Sequence, residues 1–170
     1  EWLRAGLAIL AILVAMAAVE LAMGRVPICT CGTVRLWMGE VQSAENSQQI
    51  ADWYTLSHII HGLLFYGAAR ILFPRRGLPF RAVAATLVEV AWEVLENSPI
   101  IINRYREATM ALGYTGDSVL NSVSDVLAML LGFALAARLP VWVSVAAGVA
   151  MELLALAVIC GSNPALPIAG

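Results

Sequence analysis

Long apolar stretches separated by shorter polar connections dominate the chain. A helix needs about 20 mostly apolar residues to cross a hydrocarbon core of about 30 Å. Five stretches have this character, and we expect each to be a helix; they cover residues 3–23, 53–73, 80–95, 118–137 and 141–160. The first has a longer apolar run than a signal peptide and contains Glu20, so we interpret it as a retained helix.

Composition supports a membrane protein. The chain has 170 residues, of which 61% are hydrophobic and 13% are charged, whereas soluble domains are about 45–50% apolar and about 25% charged. The net charge of -2 excludes the basic surface of a nucleic-acid-binding protein. We therefore predict an all-α, polytopic membrane helix bundle with about five transmembrane helices, a single membrane domain over residues 1–170, in the bacterial inner (plasma) membrane.

The arginines determine the expected orientation, because short cytoplasmic loops carry the excess of Lys and Arg. Six arginines lie on the side of the N-terminus and four on the opposite side. The six are Arg4, Arg70, Arg75, Arg76, Arg81 and Arg138, and the four are Arg25, Arg35, Arg104 and Arg106. This bias predicts an N-terminus inside, a C-terminus outside, and long outer loops at residues 24–52 and 97–117.

Ionisable and amide side chains recur at helical spacing in three of the expected spans. Such groups are costly in a membrane, and they mark a functional site by default. Each set lies on one face of its helix and in its outer half; the sets are His58 and His61, then Glu89, Glu93 and Glu96, then Asp117, Asn121 and Asp125. Because lipid is an unfavourable neighbour for these groups, we expect the three faces to meet in a polar pocket near the outer leaflet.

Two imidazoles and several carboxylates suit a divalent transition metal such as Zn, Mn or Fe. The charge of the ion would offset the repulsion between carboxylates, and a metal-bound water is a nucleophile for hydrolysis. The expected ligands are His58, His61, Glu89, Glu93 and Asp125. The candidate catalytic residues are Glu93 and Asp125 as acid–base groups, with Asp117 and Asn121 orienting substrate or water.

The same residues also admit interpretations without a metal. Polar groups that pair only with one another would hold the bundle together through interhelical hydrogen bonds. Alternatively, Asp125 and Glu93 would share a proton as an acid–base pair, whereas Asp117 lies two turns, about 12 Å, from Asp125 along the helix axis. Buried carboxylates and histidines also form the relays of proton or solute carriers.

The second outer loop contains the run Arg104-Tyr105-Arg106. Arginine binds carboxylate and phosphate groups in a bidentate manner, so these three residues are a candidate binding site for an anionic head group. Pairing of the arginines with nearby acidic residues is the alternative.

Three cysteines, Cys29, Cys31 and Cys160, lie on the outer side, where disulfides are permitted. A bond from Cys160 to either loop cysteine would tie the first outer loop to the bundle. We expect a direct bond between Cys29 and Cys31 to be strained, because they are so close in sequence.

Three runs of the chain resemble an uncharacterised family of bacterial inner-membrane proteins: QSAENSQQIADWYTLSHIIHG, EVAWEVLENSPIIINRYR and GDSVLNSVSDVLAMLLGF. The resemblance extends from Pro27 to Val143 and implies fold and location, not chemistry. More distantly, the chain resembles VanZ-like membrane proteins, in which a glutamate-bearing helix precedes an Asp–Asn helix that ends in glycine. Glu93 or Glu96, then Asp117, Asn121 and Gly132 follow that order, whereas Asp125 and SHIIHG depart from it.

The sequence thus predicts an inner-membrane, metal-assisted hydrolase that acts on a lipid-like or anionic substrate, with membrane lipid as its surroundings and no nucleic-acid partner. The alternative is a non-enzymatic accessory or assembly subunit of a membrane complex. In that case the polar faces would be structural or would contact partner helices.

Overall fold

The computed structural model describes residues 1–107 and 116–162, except for the side chains of residues 105–107. In this part the chain is all-α, as expected, and contains no strand, only one isolated bridge between Met38 and Asp52. The helices are α1 (Trp2–Ala22), α2 (Thr55–Leu72), α3 (Leu78–Glu96), α4 (Pro99–Glu107), α5 (Val119–Ala136) and α6 (Val141–Gly161). Five of them lie within two residues of the bounds expected from the apolar pattern.

Three of the helices in the described residues, α1, α5 and α6, are long and apolar enough to cross a membrane. The other two expected spans, α2 and α3, do not meet this criterion. Helix α3 carries Arg81 and three glutamates, which lowers its hydropathy. Length and composition therefore support three spans directly, and five remain a proposal.

Helix α4 corrects the expectation that residues 97–117 form a loop throughout. Pro99 begins this helix, where its missing N–H is not needed and its fixed φ already suits a helix. The carbonyl of Ser98 accepts the N–H of Ile102 at 3.1 Å. With 9 residues, α4 is too short for its apolar periodicity to stand out in the sequence.

Helices α2 and α5 form the centre of the bundle. They run in the same direction, because their contacts advance together from Thr55–Asp125 to Gly62–Phe133. Helix α3 packs against both of them, α1 packs against α3 and α5, and α6 packs mainly against α2. The apolar core between α1, α3 and α5 consists of Met16, Ala82, Ala85, Val126, Met129 and Phe133.

Two glycines allow the backbones of α2 and α5 to touch. A Cβ on Gly62 would overlap the backbone of Met129 and Phe133, and a Cβ on Gly132 would overlap the carbonyl of Ile59. Small residues are the usual means by which membrane helices approach closely. This approach brings the polar face of α2 to that of α5.

The loop of residues 24–52, which we call the outer loop after the side predicted for it, packs over the start of α5. Carbonyls of Val26 and Pro27 accept the first two N–H groups of the helix, at 2.9 and 3.1 Å. The carbonyl of Ser47 accepts the N–H of Ser118 at 3.0 Å, and Ser118 Oγ accepts the N–H of Asn121 at 3.2 Å. All four N–H groups that a helix start leaves unpaired are therefore satisfied.

We expect Ser118→Ala to lower the free energy of unfolding by about 1–2 kcal/mol, because it removes the N-cap of α5. It also removes the hydrogen bond from Ser118 Oγ to the carbonyl of Gln48, at 3.0 Å. Unfolding in detergent micelles measures the change. Ser124→Ala is the matched control, since within the described residues Ser124 Oγ bonds only the carbonyl of Leu120, in the same helix. If the two variants lose the same free energy of unfolding, the N-cap at Ser118 does not contribute to stability.

Candidate metal site

Three helices bring the five predicted metal ligands together. Helix α2 contributes His58, α3 contributes Glu89 and Glu93, and α5 contributes Asp125; all four are buried. His61, one turn further along α2, is half-buried. We call these five residues the His58 cluster. The predicted meeting of three polar helix faces is thus present in the structure.

His58 lies at the centre of the cluster. Its Nδ1 is 2.7 Å from Glu89 Oε1 and 3.4 Å from Glu93 Oε1. Its Nε2 is 3.8 Å from Asp125 Oδ2. Because Nδ1 carries at most one hydrogen, we assign that hydrogen to the shorter contact, with Glu89. This leaves Nε2 facing Asp125.

Glu93 is a buried acceptor that lacks a donor. Its side chain is 1% exposed, and no hydrogen-bond donor for its Oε1 lies within the described residues. The nearest candidate, the Nδ1–H of His58, is already donated to Glu89. Burying an ionised carboxylate without a hydrogen-bond donor is costly, and the His58 ring at 3.4 Å offsets the charge only when it is protonated. This position therefore calls for a proton or a cation.

Glu89 accepts hydrogen bonds from both histidines of α2. Nδ1 of His61 lies 3.0 and 3.2 Å from its two oxygens. The His61 ring is stacked on Phe65 and meets Trp92 edge-on. Glu89 therefore orients two imidazoles at once, and the aromatic neighbours restrict the second of them.

Two sets of ligand atoms have the spacing of a metal site, each within 4.8 Å: His58 with His61 and Glu89, and His58 with Glu93 and Asp125. A metal-bound histidine usually donates its other ring N–H to a carboxylate, which is the contact between His58 and Glu89. This leaves Nε2 of His58, which faces Asp125 at 3.8 Å, as the nitrogen available to the second set, while Glu93 contacts the same ring at Nδ1. Three protein ligands would leave an open coordination position, as in catalytic zinc sites.

Thr55 links the cluster to the outer loop, a connection that the polar pattern did not predict. Its Oγ1 donates to Asp125 Oδ1 and accepts the N–H of Asp52, both at 3.1 Å. The Asp52 carboxyl accepts the N–H groups of Ser47 and Tyr54, each at 2.8 Å. Burial raises the pKa of Asp52 above its ordinary value, although these N–H groups oppose the increase. The signal for this link in the sequence is Asp52, three positions before Thr55 at the start of α2. This is the spacing of a capping box, and the sequence reasoning missed it.

Asp117 and Asn121 lie in a second polar layer, at the start of α5. Asn97 Nδ2 donates to Asp117 Oδ2 at 2.9 Å, and Asn97 Oδ1 accepts the N–H of Asp117 at 2.7 Å. Asn121 Nδ2 donates to the carbonyl of Gln49 at 2.9 Å. These bonds tie the end of α3 and the outer loop to α5. The expected role of both residues in orienting substrate or water stays a prediction.

Of the predicted anion-binding run, Arg104 is exposed on α4, and the side chains of Tyr105 and Arg106 lie outside the described residues. A cavity of about 360 Å³ opens beside α4; Arg25, Asn103 and Asp117 are among the residues that line it. From the sequence, Arg25 is predicted only to be one of four arginines on the outer side, and not to line a binding site. The cavity is separate from the His58 cluster.

The structure joins Cys29 to Cys31 by a disulfide, and Cys160 is a free thiol. The expected bond from Cys160 to the outer loop is therefore not formed. The Cα atoms of Cys29 and Cys31 are 5.2 Å apart, inside the range of about 4.4–6.8 Å seen in disulfides. The direct bond between these two cysteines is therefore present, and the strain expected of it stays a prediction.

Comparison with known proteins places the chain among bacterial relatives. Residues 20–168 match the family described as "Protein of unknown function (DUF2585)". The chain is 63% identical over 131 residues to a UPF0314 protein of Paracoccus denitrificans, covering 77% of this chain and 68% of that protein. It is 58% identical over 154 residues to a UPF0314 protein of Sphingopyxis alaskensis, covering 90% and 82%. No solved structure matches the chain. Membership in an uncharacterised family with bacterial relatives is confirmed, whereas the inner-membrane location expected of that family and the VanZ-like resemblance stay predictions.

Proposed function

The chain belongs to the DUF2585 family, and we propose that it is an integral membrane protein whose helix bundle binds a divalent transition metal ion. Helices α1, α5 and α6 are apolar enough to span a membrane. Helices α1 and α6 also expose many large apolar side chains, among them Leu7, Val14, Val149 and Leu153. Large exposed apolar surfaces mark contact with a membrane or a partner, and lipid is the contact proposed here.

We include α2 and α3 among the spans, which makes five. Both pack against the apolar helices, and their polar groups, such as His58 and Glu89, turn toward each other. The outward surface of α3 carries Leu87 and Val88, which are exposed and apolar. The arginine bias then places the N-terminus inside and the long loops outside the bacterial inner membrane.

One observation carries the metal proposal: the carboxyl of Glu93 is buried against His58 with no donor for its Oε1 in the described part of the chain. His58 cannot serve as that donor, since Glu89 takes its Nδ1–H. A cation bound to His58 Nε2, Glu93 and Asp125 would satisfy all three groups. One nitrogen and two carboxylates suit Zn, Mn or Fe.

The proposed reaction is hydrolysis of a lipid-like or anionic substrate near the outer leaflet. A bound divalent ion supplies a Lewis acid and lowers the pKa of its water. Thr55 fixes the Asp125 carboxyl, and Glu89 fixes the ring of His58. Arg25, which lines the outer cavity, and the exposed Arg104 would attract an anionic group.

We expect the protein, purified without reductant so that Cys29 and Cys31 stay in their disulfide, to hold about one metal ion per chain. His58→Ala should reduce that content by about tenfold or more, because it removes a ligand. Elemental analysis after purification without chelators measures it, and circular dichroism verifies that the variant is helical. Ser57→Ala is the matched control, since adjacent helix positions do not face the same way.

Metal content far below one ion per chain after metal is added back, or content unchanged in His58→Ala, would contradict the proposal. Metal-free protein that co-purifies with a stoichiometric membrane partner would support the accessory-subunit alternative instead.

A further inference from the structure

A second group of metal-ligating side chains lies in the outer loop, apart from the His58 cluster. It consists of Cys29, Cys31 and Glu45, whose ligand atoms lie within 4.8 Å of one another with the two sulfur atoms joined in a disulfide. We propose that these residues, with both thiols reduced, bind a thiophilic metal ion such as Zn²⁺. We call them the Cys29 site. The proposal goes beyond the function proposed above and does not require a metal at the His58 cluster.

Hydrogen-bond donors already surround the two sulfur atoms. The N–H of Cys31 lies 3.2 Å from Cys29 Sγ, and Gln49 Nε2 lies 3.4 Å from Cys31 Sγ. Positive or hydrogen-donating surroundings favour the thiolate, which is the form that ligates metal. Gln49 is itself held in place, because it is 1% exposed and its Oε1 accepts the N–H of Arg35 at 2.7 Å.

Gln49 also positions the third ligand. Its Nε2 lies 3.0 Å from Glu45 Oε2, and Arg35 Nη1 lies 3.4 Å from the same oxygen. Two thiolates and one carboxylate carry three negative charges, which a divalent ion and the neighbouring guanidinium would offset. Cys29 is buried and Cys31 is exposed, so a bound ion would keep a side open to solvent.

Thiolates, unlike the imidazole and carboxylates of the His58 cluster, are soft ligands that select Zn²⁺ or Cu⁺. The disulfide seen in the structure is the oxidised form of the same pair. A dithiol reductant breaks the S–S bond, gives two thiols and is itself oxidised to a disulfide. On metal binding the two thiols release two protons to solvent. Because the same two sulfur atoms take part in both states, disulfide formation and metal binding exclude each other.

Titration with Co²⁺ of the full chain, held in detergent, reduced with a dithiol and then freed of that dithiol without oxygen, tests the proposal. Thiolate ligands give Co²⁺ a near-ultraviolet charge-transfer band that nitrogen and oxygen ligands do not give. We expect this band in the reduced wild type and not in the oxidised protein. Cys31→Ser should abolish the band, whereas Cys160→Ser should retain it. Cys31 is exposed, and serine is close to it in size and can still accept the hydrogen bond of Gln49, so the loop should keep its packing in the reduced protein.

Glu45→Gln should weaken Co²⁺ binding at the Cys29 site by about tenfold or more, since it removes a charged ligand. Glu40→Gln is the matched control, because Glu40 is an exposed acid of the same loop. No band in the reduced wild type, or a band that persists in Cys31→Ser, would overturn the proposal.

His58→Ala separates the two sites. This variant should bind one Co²⁺ ion fewer than the wild type, because the His58 cluster is lost. The charge-transfer band of the Cys29 site should stay unchanged. A protein that binds Co²⁺ only with the band supports the Cys29 site and contradicts the function proposed for the His58 cluster. A protein that binds Co²⁺ only without the charge-transfer band supports the metal site at the His58 cluster and contradicts the Cys29 site.

Discussion

Gly132→Leu is expected to prevent the stable packing of α2 against α5. A Cβ at this position would overlap the backbone carbonyl of Ile59, and a backbone cannot move aside as the tip of a side chain can. Overpacking a core costs about 1–3 kcal/mol. Because the two central helices would have to separate, we expect a loss of about 3 kcal/mol or more in the free energy of unfolding.

Gly67→Leu is the matched control for this substitution. Gly67 also lies in a helix of the central pair, but no atom of the described residues lies within 4 Å of a Cβ built on it. Both variants share the gain in helix propensity, about 0.5–1 kcal/mol, so the difference between them reports the interhelical contact. Thermal unfolding in detergent measures it. Gly132→Leu protein that unfolds at the same temperature as Gly67→Leu protein would contradict the close packing.

The positions of the five long helices could be predicted because each depends on a local property, the length of an apolar run. The meeting of His58, Glu89 and Asp125 could be expected as well. Each lies on the polar face of its own helix, and burial against another polar face is the remaining option when lipid is excluded. The pattern does not reveal which helices touch, because Gly62 and Gly132 look the same in sequence whichever neighbour they face.

The outer loop could not be predicted, because its structure depends on contacts between distant residues. Ser118 Oγ bonds the carbonyl of Gln48, and Asn121 bonds the carbonyl of Gln49, across more than 65 positions of sequence. Neither turn chemistry nor periodicity signals such pairs. The link from Asp52 through Thr55 to Asp125 depends on such a contact in its second half. The bond between Asp52 and Thr55 is a local capping pattern, whereas the bond between Thr55 and Asp125 joins residues 70 positions apart.

Glu89→Gln and Glu93→Gln, one turn apart on α3, are expected to change the stability of the metal-free protein in opposite directions. Glu89 accepts hydrogen bonds from His58 at 2.7 Å and from His61 at 3.0 Å. Losing the charge and one acceptor oxygen there should cost about 1–3 kcal/mol. Glu93 has a buried oxygen with no donor in the described residues, so a neutral amide should stabilise the metal-free protein by about 1 kcal/mol.

Both substitutions should nevertheless weaken metal binding. Glu93→Gln removes a charged ligand, and Glu89→Gln removes the group that orients the ring of His58, a change that typically costs about 10–100-fold in affinity. Unfolding of chelator-treated protein and metal titration of the same samples give the two quantities. If Glu93→Gln destabilises the metal-free protein as much as Glu89→Gln does, Glu93 has a partner in the folded chain. The polar groups would then pair only with one another, and the observation that carries the metal proposal would be lost.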